Sequence, residues 1–430
     1  METIFALSSG AAPSGIAVLR VSGTLSRFVV ETIVGALPEA RAASLRCFRH
    51  PGDRRVIDRG IVLWFPGPGS FNGDDCAEFH VHGGIAVIEA MLDALGSIKG
   101  LRLAMPGEFS RRAFENGKLD LAELEGLADL VAAETEAQRR QAMQQADGHF
   151  SLRLEDWRQT LVSMRAGLEA GFDFSDEDDV PDNVDAGVCQ AGAMLRSEIE
   201  RFLGDKNRGV IVRSGYQVML MGAPNSGKSS LLNALAKRDV AIVSSEAGTT
   251  RDLIEVSLDL EGYRVVLVDT AGLREDSEAV ERQGMERALA RSKSADLVVW
   301  LQAIGGDADM VLPRLETPVL LVHSKDDFRT LPAGSVSVKR QDGLDWLIGE
   351  IARRVGVSAS GADGPLVTRH RHRVHLERVC LLLAQLSGTD APEYTADLLR
   401  QASNEIGRIT GRIGVEDLLD EIFSTFCIGK

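Results

Sequence analysis

Several common features are scarce in this sequence, and each scarcity excludes a class of protein. The five cysteines are scattered and include no C-x-x-C pair, which excludes the usual zinc pattern and a disulfide framework. No run of 18 or more apolar residues occurs, so no membrane-spanning helix is predicted. The first residues lack the basic segment of a signal peptide. The chain is therefore predicted to be cytoplasmic, with no membrane association.

Positive charge is also in short supply. The formal net charge is −15 over 430 residues, which argues against a broad, nonspecific grip on nucleic acid. Any contact with RNA must come from a local basic patch or from a partner protein. The hydrophobic share of 44% and charged share of 26% are typical of a soluble globular protein, and the length predicts two to four domains.

One stretch present in the sequence organises the rest. Residues 222–229 fit the pattern G-x-x-x-x-G-K-[ST] of a phosphate-binding loop. The glycines let backbone N–H groups turn toward phosphate oxygens, Lys228 can reach the β- and γ-phosphates, and Ser229 can bind Mg²⁺. Residues 216–220 predict a strand before the loop and residues 231–235 a helix after it, which is the context that the motif requires. An accidental Gly-rich turn is the alternative for the loop taken alone.

Three further motifs follow the loop in the order expected of a GTPase. Residues 248–252 form a polar segment suited to a switch, in which a threonine can complete Mg²⁺ coordination. Asp269 ends an apolar run and can support Mg²⁺, while the Gly272 N–H can sense the γ-phosphate. Residues 324–327 fit the guanine-reading N/T/S-K-x-D pattern, and residues 337–339 fit the last contact with the base. The four signals together predict a GTPase.

Two positions depart from the usual pattern. Ser324 stands where asparagine is usual, which removes one side-chain amide from the base clamp without changing the preference for guanine. Position 273, directly after the Asp-Thr-Ala-Gly motif, is leucine and not the glutamine that orients water in Ras-type enzymes. Another group must therefore position the attacking water.

The rest of the chain consists of predicted strand segments and predicted helical segments. Strands are predicted at 15–23, 60–65 and 76–82, and short apolar runs at 265–268, 297–300 and 319–322 predict buried parallel strands. A helical pattern begins at Asp120, with Glu123 in a capping box, and continues to residue 172. An acidic run at 173–179 is a solvated loop or, less favoured, a metal site. In the last segment Val374, Val379, Leu382 and Leu386 form one apolar stripe, continued by Leu398, Leu399, Ile406, Leu418 and Ile422.

His80 and His82 lie two residues apart on one predicted strand and could share a metal ion. Because no third ligand is evident, ordinary hydrogen-bonded histidines are the preferred interpretation.

Several of these residues together resemble the MnmE (TrmE) family of tRNA-modification GTPases, and the resemblance covers almost the whole chain. Outside the GTPase motifs it depends on residues 19–23, 106–114, 116–121 and the terminal Cys-Ile-Gly-Lys at 427–430. It implies an α/β multidomain protein: an N-terminal α/β folate-binding and dimerisation domain (1–118), a discontinuous helical domain (119–212 and 358–430) and an inserted Ras-like P-loop GTPase domain (213–357).

The resemblance also implies an activity and partners. The family forms a homodimer and works with the FAD protein MnmG (GidA) in a heterotetramer or larger complex. Together they place an aminomethyl or carboxymethylaminomethyl group on C5 of the wobble uridine (position 34) of certain tRNAs. The one-carbon unit comes from a folate such as 5-formyltetrahydrofolate, and GTP hydrolysis requires Mg²⁺ and is activated by K⁺.

The family's site residues carry over position by position. Asn225 would bind K⁺ with Ser244, Glu246 and Thr249, although a loop-capping side chain is the alternative for Asn225. Ser229 and Thr250 would bind Mg²⁺, and Glu281 would be the catalytic carboxylate, acting through an intervening water. The full set of expected GTP-binding residues is Asn225, Ser226, Gly227, Lys228, Ser229, Ser230, Ser244, Ser245, Glu246, Ala247, Gly248, Thr249, Thr250, Asp269, Thr270, Ala271, Gly272, Ser324, Lys325, Asp327, Ser337, Val338 and Lys339.

On the folate side, the expected residues are Arg20, Glu78, Lys118 and Lys430. A carboxylate suits the donors of the pterin, and basic groups suit the anionic tail. Taken in isolation, Arg20 and Lys118 would be read as surface salt-bridge residues. Cys427 is either a reactive thiol or a buried small hydrophobe.

Two other functions stay open at this point. A GTPase of the ribosome-assembly type would share the central domain but add an RNA-binding KH module or a second GTPase domain. It is disfavoured because the C-terminal segment shows no G-x-x-G clamp followed by a sheet. Alternatively, the N-terminal domain could be a stand-alone one-carbon transferase.

Overall fold

The computed structural model describes residues 2–10, 12–173, 184–204, 208–242, 255–269, 289–305, 313–327, 334–359, 364, 366–388, 391–414, 419, 423, 426 and 429. The chain divides into two compact units. Unit 1 comprises residues 1–128 and 410–430, and unit 2 comprises residues 129–409. Among the described helices, none combines the length and apolar character needed to cross a membrane.

Unit 1 is built on a six-stranded sheet in the order β3-β4-β5-β2-β1-β6. Neighbouring strands are antiparallel except for the parallel pair β1–β6. Alternate side chains of β5, such as Phe79 and Val81, enter a core with helices α1 and α2. The elements are β1 (Thr3–Leu7), β2 (Ser14–Ser22), α1 (Ser26–Val34), β3 (Ser44–Arg49), β4 (Val56–Phe65), β5 (Cys76–Gly83), α2 (Ile85–Gly96) and β6 (Leu101–Leu103). The strands predicted at 15–23, 60–65 and 76–82 are confirmed.

Two more of the described helices are α3 (Glu108–Glu115) in unit 1 and α4 (Leu121–Ala132), which begins in unit 1. The predicted capping box at the start of α4 is confirmed. The Glu123 N–H donates to Asp120 Oδ1 at 2.9 Å, and the Asp120 N–H donates to Glu123 Oε2 at 2.6 Å. Leu121 and Leu124 then pack in a cluster with Leu419, Phe423 and Phe426.

Unit 2 contains a second six-stranded sheet in the order β12-β11-β10-β7-β9-β8, parallel except for the edge strand β8. Its strands are β7 (Tyr216–Gly222), β8 (Glu255–Leu260), β9 (Tyr263–Asp269), β10 (Leu297–Ala303), β11 (Val319–Ser324) and β12 (Ser335–Val336). The apolar runs at 265–268 and 297–300 are confirmed as buried strands, because both faces of β9 and β10 are covered. The run at 319–322 forms β11, but Leu321 is 44% exposed, so one face of that strand is not buried. Because the strands are parallel, the carboxyl ends of β7, β9 and β11 meet at one edge of the sheet.

The helices of unit 2 are α5 (Glu136–Ala146), α6 (His149–Asp173), α7 (Val184–Leu203), α8 (Arg208–Ser214), α9 (Lys228–Leu235), α10 (Leu344–Ala359), α11 (His370–Ala384) and α12 (Pro392–Thr410). The helical pattern predicted from residue 120 to 172 is confirmed, and the chain forms three helices there, α4, α5 and α6. Thr135 opens α5 with its own capping box, and Gly148 adopts a φ of 80° ahead of α6.

The buried stripe of α11 also differs from the prediction. Val379 and, in the 3-10 turn after the helix, Leu386 are buried as expected, but Val374 and Leu382 are only partly buried. His372, Leu376 and Leu383 take the core positions instead. Leu398, Leu399 and Ile406 of α12 are buried, whereas Leu418 and Ile422 lie outside the described residues.

Candidate functional site

The phosphate loop joins the end of β7 to the start of α9. Gly222 has a φ of 144°, and a Cβ there would lie 2.2 Å from the Leu301 carbonyl oxygen on β10, so only glycine fits. Gly227 has a φ of 96° and immediately precedes α9. Lys228 Nζ donates to the carbonyl oxygens of Gly222 and Ala223, each at 2.9 Å. The lysine therefore arches over its own loop at the position where phosphates would bind.

Asn225 stands at the tip of this loop in the left-handed region, with a φ of 60°. Its side chain is exposed and makes no hydrogen bond with any residue that the structure describes. The alternative that this side chain caps the loop finds no support in these contacts. The side chain is thus open to solvent, where a cation could bind its amide oxygen.

Ser229 and Asp269 come together from α9 and from the end of β9. Ser229 Oγ donates to Asp269 Oδ2 at 2.7 Å, and Asp269 is almost completely buried. A hydroxyl and a carboxylate side by side are hard oxygen ligands of the kind that Mg²⁺ prefers, so this pair fits the ion. No cluster of three or more His, Cys, Asp or Glu side chains with metal-binding geometry occurs among the described residues.

A hydrogen bond that the motif does not reveal links the base-reading loop to the phosphate loop. Ser324 is buried, and its Oγ donates to the Ser226 carbonyl oxygen at 2.6 Å. The serine in place of asparagine thus links the end of β11 to the loop after β7. Lys325 follows with a φ of 62° and an exposed side chain.

Asp327, the predicted guanine-reading residue, is held from two sides. Ser337 Oγ donates to Asp327 Oδ1 at 2.6 Å, and Arg340 Nη1 donates to the Asp327 carbonyl oxygen at 2.9 Å. An ionised carboxylate has about four acceptor positions, so the bond from Ser337 leaves the others for N–H groups of a base. Val338 is half-buried and Lys339 is exposed beside it. Sequence reasoning missed Arg340.

The other predicted residues of this site lie outside the described residues. They comprise Ser244, Ser245, Glu246, Ala247, Gly248, Thr249, Thr250, Thr270, Ala271, Gly272, Leu273 and Glu281.

A second polar site lies on the sheet of unit 1, where Arg20 of β2 faces Glu78 of β5. Arg20 Nη2 and Nε donate to Glu78 Oε1 at 2.9 and 3.1 Å, and both side chains are about four-fifths buried. The guanidinium carbon lies 5.7 Å from the ring centroid of Phe71 and 5.6 Å from that of Phe109. A fixed ion pair between aromatic rings suits a flat heterocycle with several N–H groups. Sequence reasoning missed both phenylalanines.

The surroundings of this ion pair are also defined. Asn116 Nδ2 donates to the Asn72 carbonyl oxygen at 2.7 Å, which fixes the turn that carries Phe71. Burial raises the pKa of the nearby Cys76 thiol, which is therefore neutral. Lys118 is exposed and makes no side-chain contact within the described part of the chain, and Lys430 and Cys427 lie outside it.

The two histidines of β5 are ordinary hydrogen-bonded residues, as predicted. A ring nitrogen of His80 lies 3.3 Å from Glu78 Oε2, and Nδ1 of His82 lies 2.9 Å from Asp58 Oδ1. The second pair is anchored because the His82 N–H also donates to Asp58 at 2.8 Å. The acidic run from residue 174 onward lies outside the described residues.

The phosphate loop, the Ser229–Asp269 pair and the base-reading loop at the carboxyl edge of a parallel sheet define a P-loop GTPase. Family models agree: that of the MnmE helical domain matches residues 121–427, and that of the GTP-binding protein TrmE N-terminus matches residues 3–118. The chain belongs to the MnmE family of tRNA modification GTPases.

Individual relatives agree with this assignment. The tRNA modification GTPases MnmE of Brucella canis and of Brucella suis biovar 1 are each 49% identical over 437 aligned residues, covering 100% of this chain and 98% of the relative. Among solved structures, Era from Aquifex aeolicus is 21% identical, covers 41% of this chain and 69% of its own, and has a TM-score of 0.26. That likeness is too distant to bear on function.

Proposed function

We propose that this chain hydrolyses GTP in the cytoplasm and, with the FAD protein MnmG, modifies C5 of the wobble uridine at position 34 of certain tRNAs. The added group is aminomethyl or carboxymethylaminomethyl, with its one-carbon unit taken from a folate. The observation that carries the proposal is the meeting of Ser229 with Asp269 at 2.7 Å beside a loop whose Lys228 already faces inward. We assign folate binding and dimerisation to residues 1–118 and GTP hydrolysis to residues 213–357. Residues 119–212 and 358–430 form the discontinuous helical domain.

The residues of unit 2 have distinct roles in hydrolysis. Backbone N–H groups of the loop and Lys228 hold the phosphates, and Asp327 selects guanine by accepting from N1–H and the N2 amine. Ser229 and Thr250 would hold Mg²⁺, and Asn225 would hold K⁺ with Ser244, Glu246 and Thr249. These ions supply positive charge that stabilises the transition state. Glu281 would orient the attacking water, a role that Leu273 cannot fill.

In unit 1, the Arg20–Glu78 pair is the proposed folate site, with Lys118 and Lys430 as further contacts. Glu78 is held by Arg20 and retains acceptor positions for the pterin N–H groups. Phe71 adds exposed aromatic surface to the same place, whereas Phe109 is fully buried and packs near the Arg20 guanidinium. The proposed assembly is a homodimer that joins MnmG in a heterotetramer or larger complex.

Reconstitution tests the proposal. The purified chain, the FAD partner, 5-formyltetrahydrofolate or a related one-carbon folate, GTP and unmodified tRNA are combined in Mg²⁺ and K⁺ with an amine, and the nucleosides are analysed by mass. Atom balance sets the amine: ammonium for the aminomethyl group or glycine for the carboxymethylaminomethyl group. We expect a C5-substituted uridine that requires every component. GTP hydrolysis without any uridine product under all these conditions would contradict the tRNA-modifying function while leaving the GTPase intact.

A further inference from the structure

The β3–β4 hairpin of unit 1 concentrates positive charge in a chain whose net charge is −15. Arg46, Arg49, Arg54, Arg55 and Arg59 lie within this hairpin and its turn. All except the half-buried Arg49 are exposed. Such a local excess is the kind of basic patch that an anionic partner recognises on an otherwise acidic protein.

Carboxylates do not neutralise these arginines. Within the described part of the chain, Arg55 alone of the five has a carboxylate oxygen within 4.0 Å, and its closest approach, to Asp53, is 3.7 Å. The other acid of the hairpin, Asp58, is committed to His82. By contrast, five arginines elsewhere in unit 1, at positions 20, 27, 102, 111 and 112, each pair with a carboxylate at 3.1 Å or less, whereas Arg41 donates to the Gly69 carbonyl oxygen.

The guanidinium groups contact backbone carbonyls instead. Arg46 Nη1 donates to the Leu45 carbonyl oxygen at 3.0 Å, Arg49 Nη1 donates to that of Arg54 at 3.2 Å, and Arg54 Nη1 donates to that of Thr32 at 2.8 Å. Each guanidinium has five N–H donors, so these single bonds leave most of them for an external acceptor. The side chain of Arg59 makes no hydrogen bond or ion pair with any described residue.

The geometry of the hairpin places arginines on both faces of the sheet at its edge. β3 is the outermost strand of its sheet, and its register places Arg46 opposite Gly60 and Arg59 opposite Cys47. Adjacent register pairs point to opposite faces, so Arg46 and Arg59 charge both sides of the ribbon. The single aromatic residue between them in sequence, Phe48, is fully buried and cannot stack on a base.

We propose that the β3–β4 hairpin, residues 44–65, binds the sugar-phosphate backbone of RNA. This inference rests on the proposed function, in which the substrate is a tRNA. Arginine charge without exposed aromatic rings favours phosphate contacts, which fix position and carry no base sequence. The hairpin is thus a positioning surface for tRNA and not a reader of the anticodon.

The test compares Arg46→Gln/Arg59→Gln with the wild type, and Arg59→Gln alone serves as a milder variant. Neither side chain joins the hairpin to another element, so the fold should survive. The control is Arg27→Gln, an exposed arginine of the same unit that pairs with Glu31 at 3.1 Å. The dissociation constant for a fluorescent tRNA transcript is measured for the full chain from about 50 to 200 mM salt.

We expect the double variant to bind tRNA roughly tenfold more weakly and to lower the slope of log K against log salt by about 1 to 2. GTP hydrolysis and the Arg27→Gln control should match the wild type. If the double variant kept the wild-type affinity and the wild-type salt slope, this inference would be wrong, and the proposed function would not be affected. Unchanged RNA binding together with lost association with the FAD protein would also overturn it, since the hairpin would then be a protein-docking surface. A wild type with no tRNA affinity, alone or with that partner, would count against the proposed function itself.

Discussion

Ser324 shows how one atypical residue can keep a site connected. Its hydroxyl reaches the Ser226 carbonyl oxygen at 2.6 Å in a buried position, so the base-reading and phosphate loops share a hydrogen bond. Removing a buried partner of this kind costs about 1–3 kcal/mol. Ser324→Ala should therefore weaken binding of GDP and GTP by roughly tenfold, as measured by nucleotide titration. Ser324→Asn retains a donor and should bind nearly as well as the wild type; equal affinity for all three proteins would show that the bond is unimportant.

Asp327 is the residue proposed to select the base. Ser337 fixes its carboxylate at 2.6 Å, so its acceptors have a defined direction. Asp327→Asn replaces one acceptor by a donor and should shift preference from GTP toward XTP, with a cost for GTP of about 1–3 kcal/mol. Competition binding of the two nucleotides measures this shift. Ser337→Ala is the control, expected to weaken both nucleotides without reversing their order. An unreversed preference for GTP in Asp327→Asn would count against the base-reading role.

Asn225 should determine the response to monovalent cations. Its exposed side chain has no hydrogen bond to hold it in another role among the described residues. We expect wild-type turnover to be high in K⁺ and low in Na⁺, and Asn225→Ala to lose that difference while still binding GTP. Steady-state hydrolysis in each salt, alongside nucleotide titration, measures both properties. Equal wild-type rates in K⁺ and Na⁺ would remove the assignment.

At this scale the sequence predicts motif positions well and contacts between motifs poorly. The glycines at 222 and 227 could be read from their spacing, because only glycine tolerates those backbone angles. The bond from Ser324 to Ser226, the support of Asp327 by Arg340 and the rings around Arg20 could not. These contacts join residues distant in the chain, and no local pattern encodes them.

Among the elements, the buried parallel strands were the most predictable and the helix boundaries the least. Continuous apolar runs identify β9 and β10 because both faces of those strands are covered, and β11 has a similar run although Leu321 on one face is exposed. The stretch from 120 to 172 keeps a helical period across two breaks, so periodicity alone does not reveal them. The capping box at Thr135 and the glycine at 148 are the local signals that mark those breaks.

Helix α3 begins with an ion-pair network that should control the acid stability of unit 1. Arg102 Nη2 and Arg112 Nη2 donate to Glu108 Oε1 at 2.7 and 3.1 Å. Burial alone would raise the pKa of Glu108, but hydrogen bonds from Arg102, the Met105 N–H and Arg112 lower it to about 2. Because the folded-state pKa lies below the usual 4.5, this stabilisation is present above about pH 4.5 and is lost as pH falls toward 2.

Glu108→Gln should therefore lower the free energy of unfolding at pH 7 by roughly 2–3 kcal/mol and flatten its dependence on pH between about 4.5 and 2. Chemical denaturation at several pH values measures both effects. The control is Glu115→Gln, whose exposed pair with Arg111 at 3.0 Å should contribute little. Equal losses in the two variants, with the same pH dependence, would show that the network adds nothing beyond a surface pair.

In the whole molecule, the last residues of the chain group with the first. Residues 410–430 belong to unit 1, and Ser8 Oγ donates to the Gly429 carbonyl oxygen at 2.9 Å. A Cβ at Gly429 would lie 2.2 Å from the Leu7 carbonyl oxygen, so this glycine is required for the close approach. Helical patterning after residue 370 gave no sign of this association, because it depends on chain topology and not on local sequence.

Within that whole, replacing Glu281, the proposed catalytic carboxylate, should separate nucleotide binding from chemistry. If Glu281 orients water in the transition state, Glu281→Ala should lower kcat by roughly 10²-fold or more with GTP affinity nearly unchanged. Loss of a surface ion pair, the alternative role, is worth about 0–1 kcal/mol and would change the rate only a few-fold. Single-turnover hydrolysis in saturating K⁺ distinguishes the two. A rate within about threefold of the wild type would place the catalytic role elsewhere.

The most direct test of the account is the wobble nucleoside itself. Position-34 uridines are analysed by mass in tRNA from cells that lack this protein and that carry the wild type, Glu281→Ala or Arg20→Gln. We predict that the C5 substituent is absent without the protein and restored by the wild type. Neither variant should restore it, although Arg20→Gln should keep GTP hydrolysis. A full complement of C5-modified uridine in the cells that lack the protein would contradict the account.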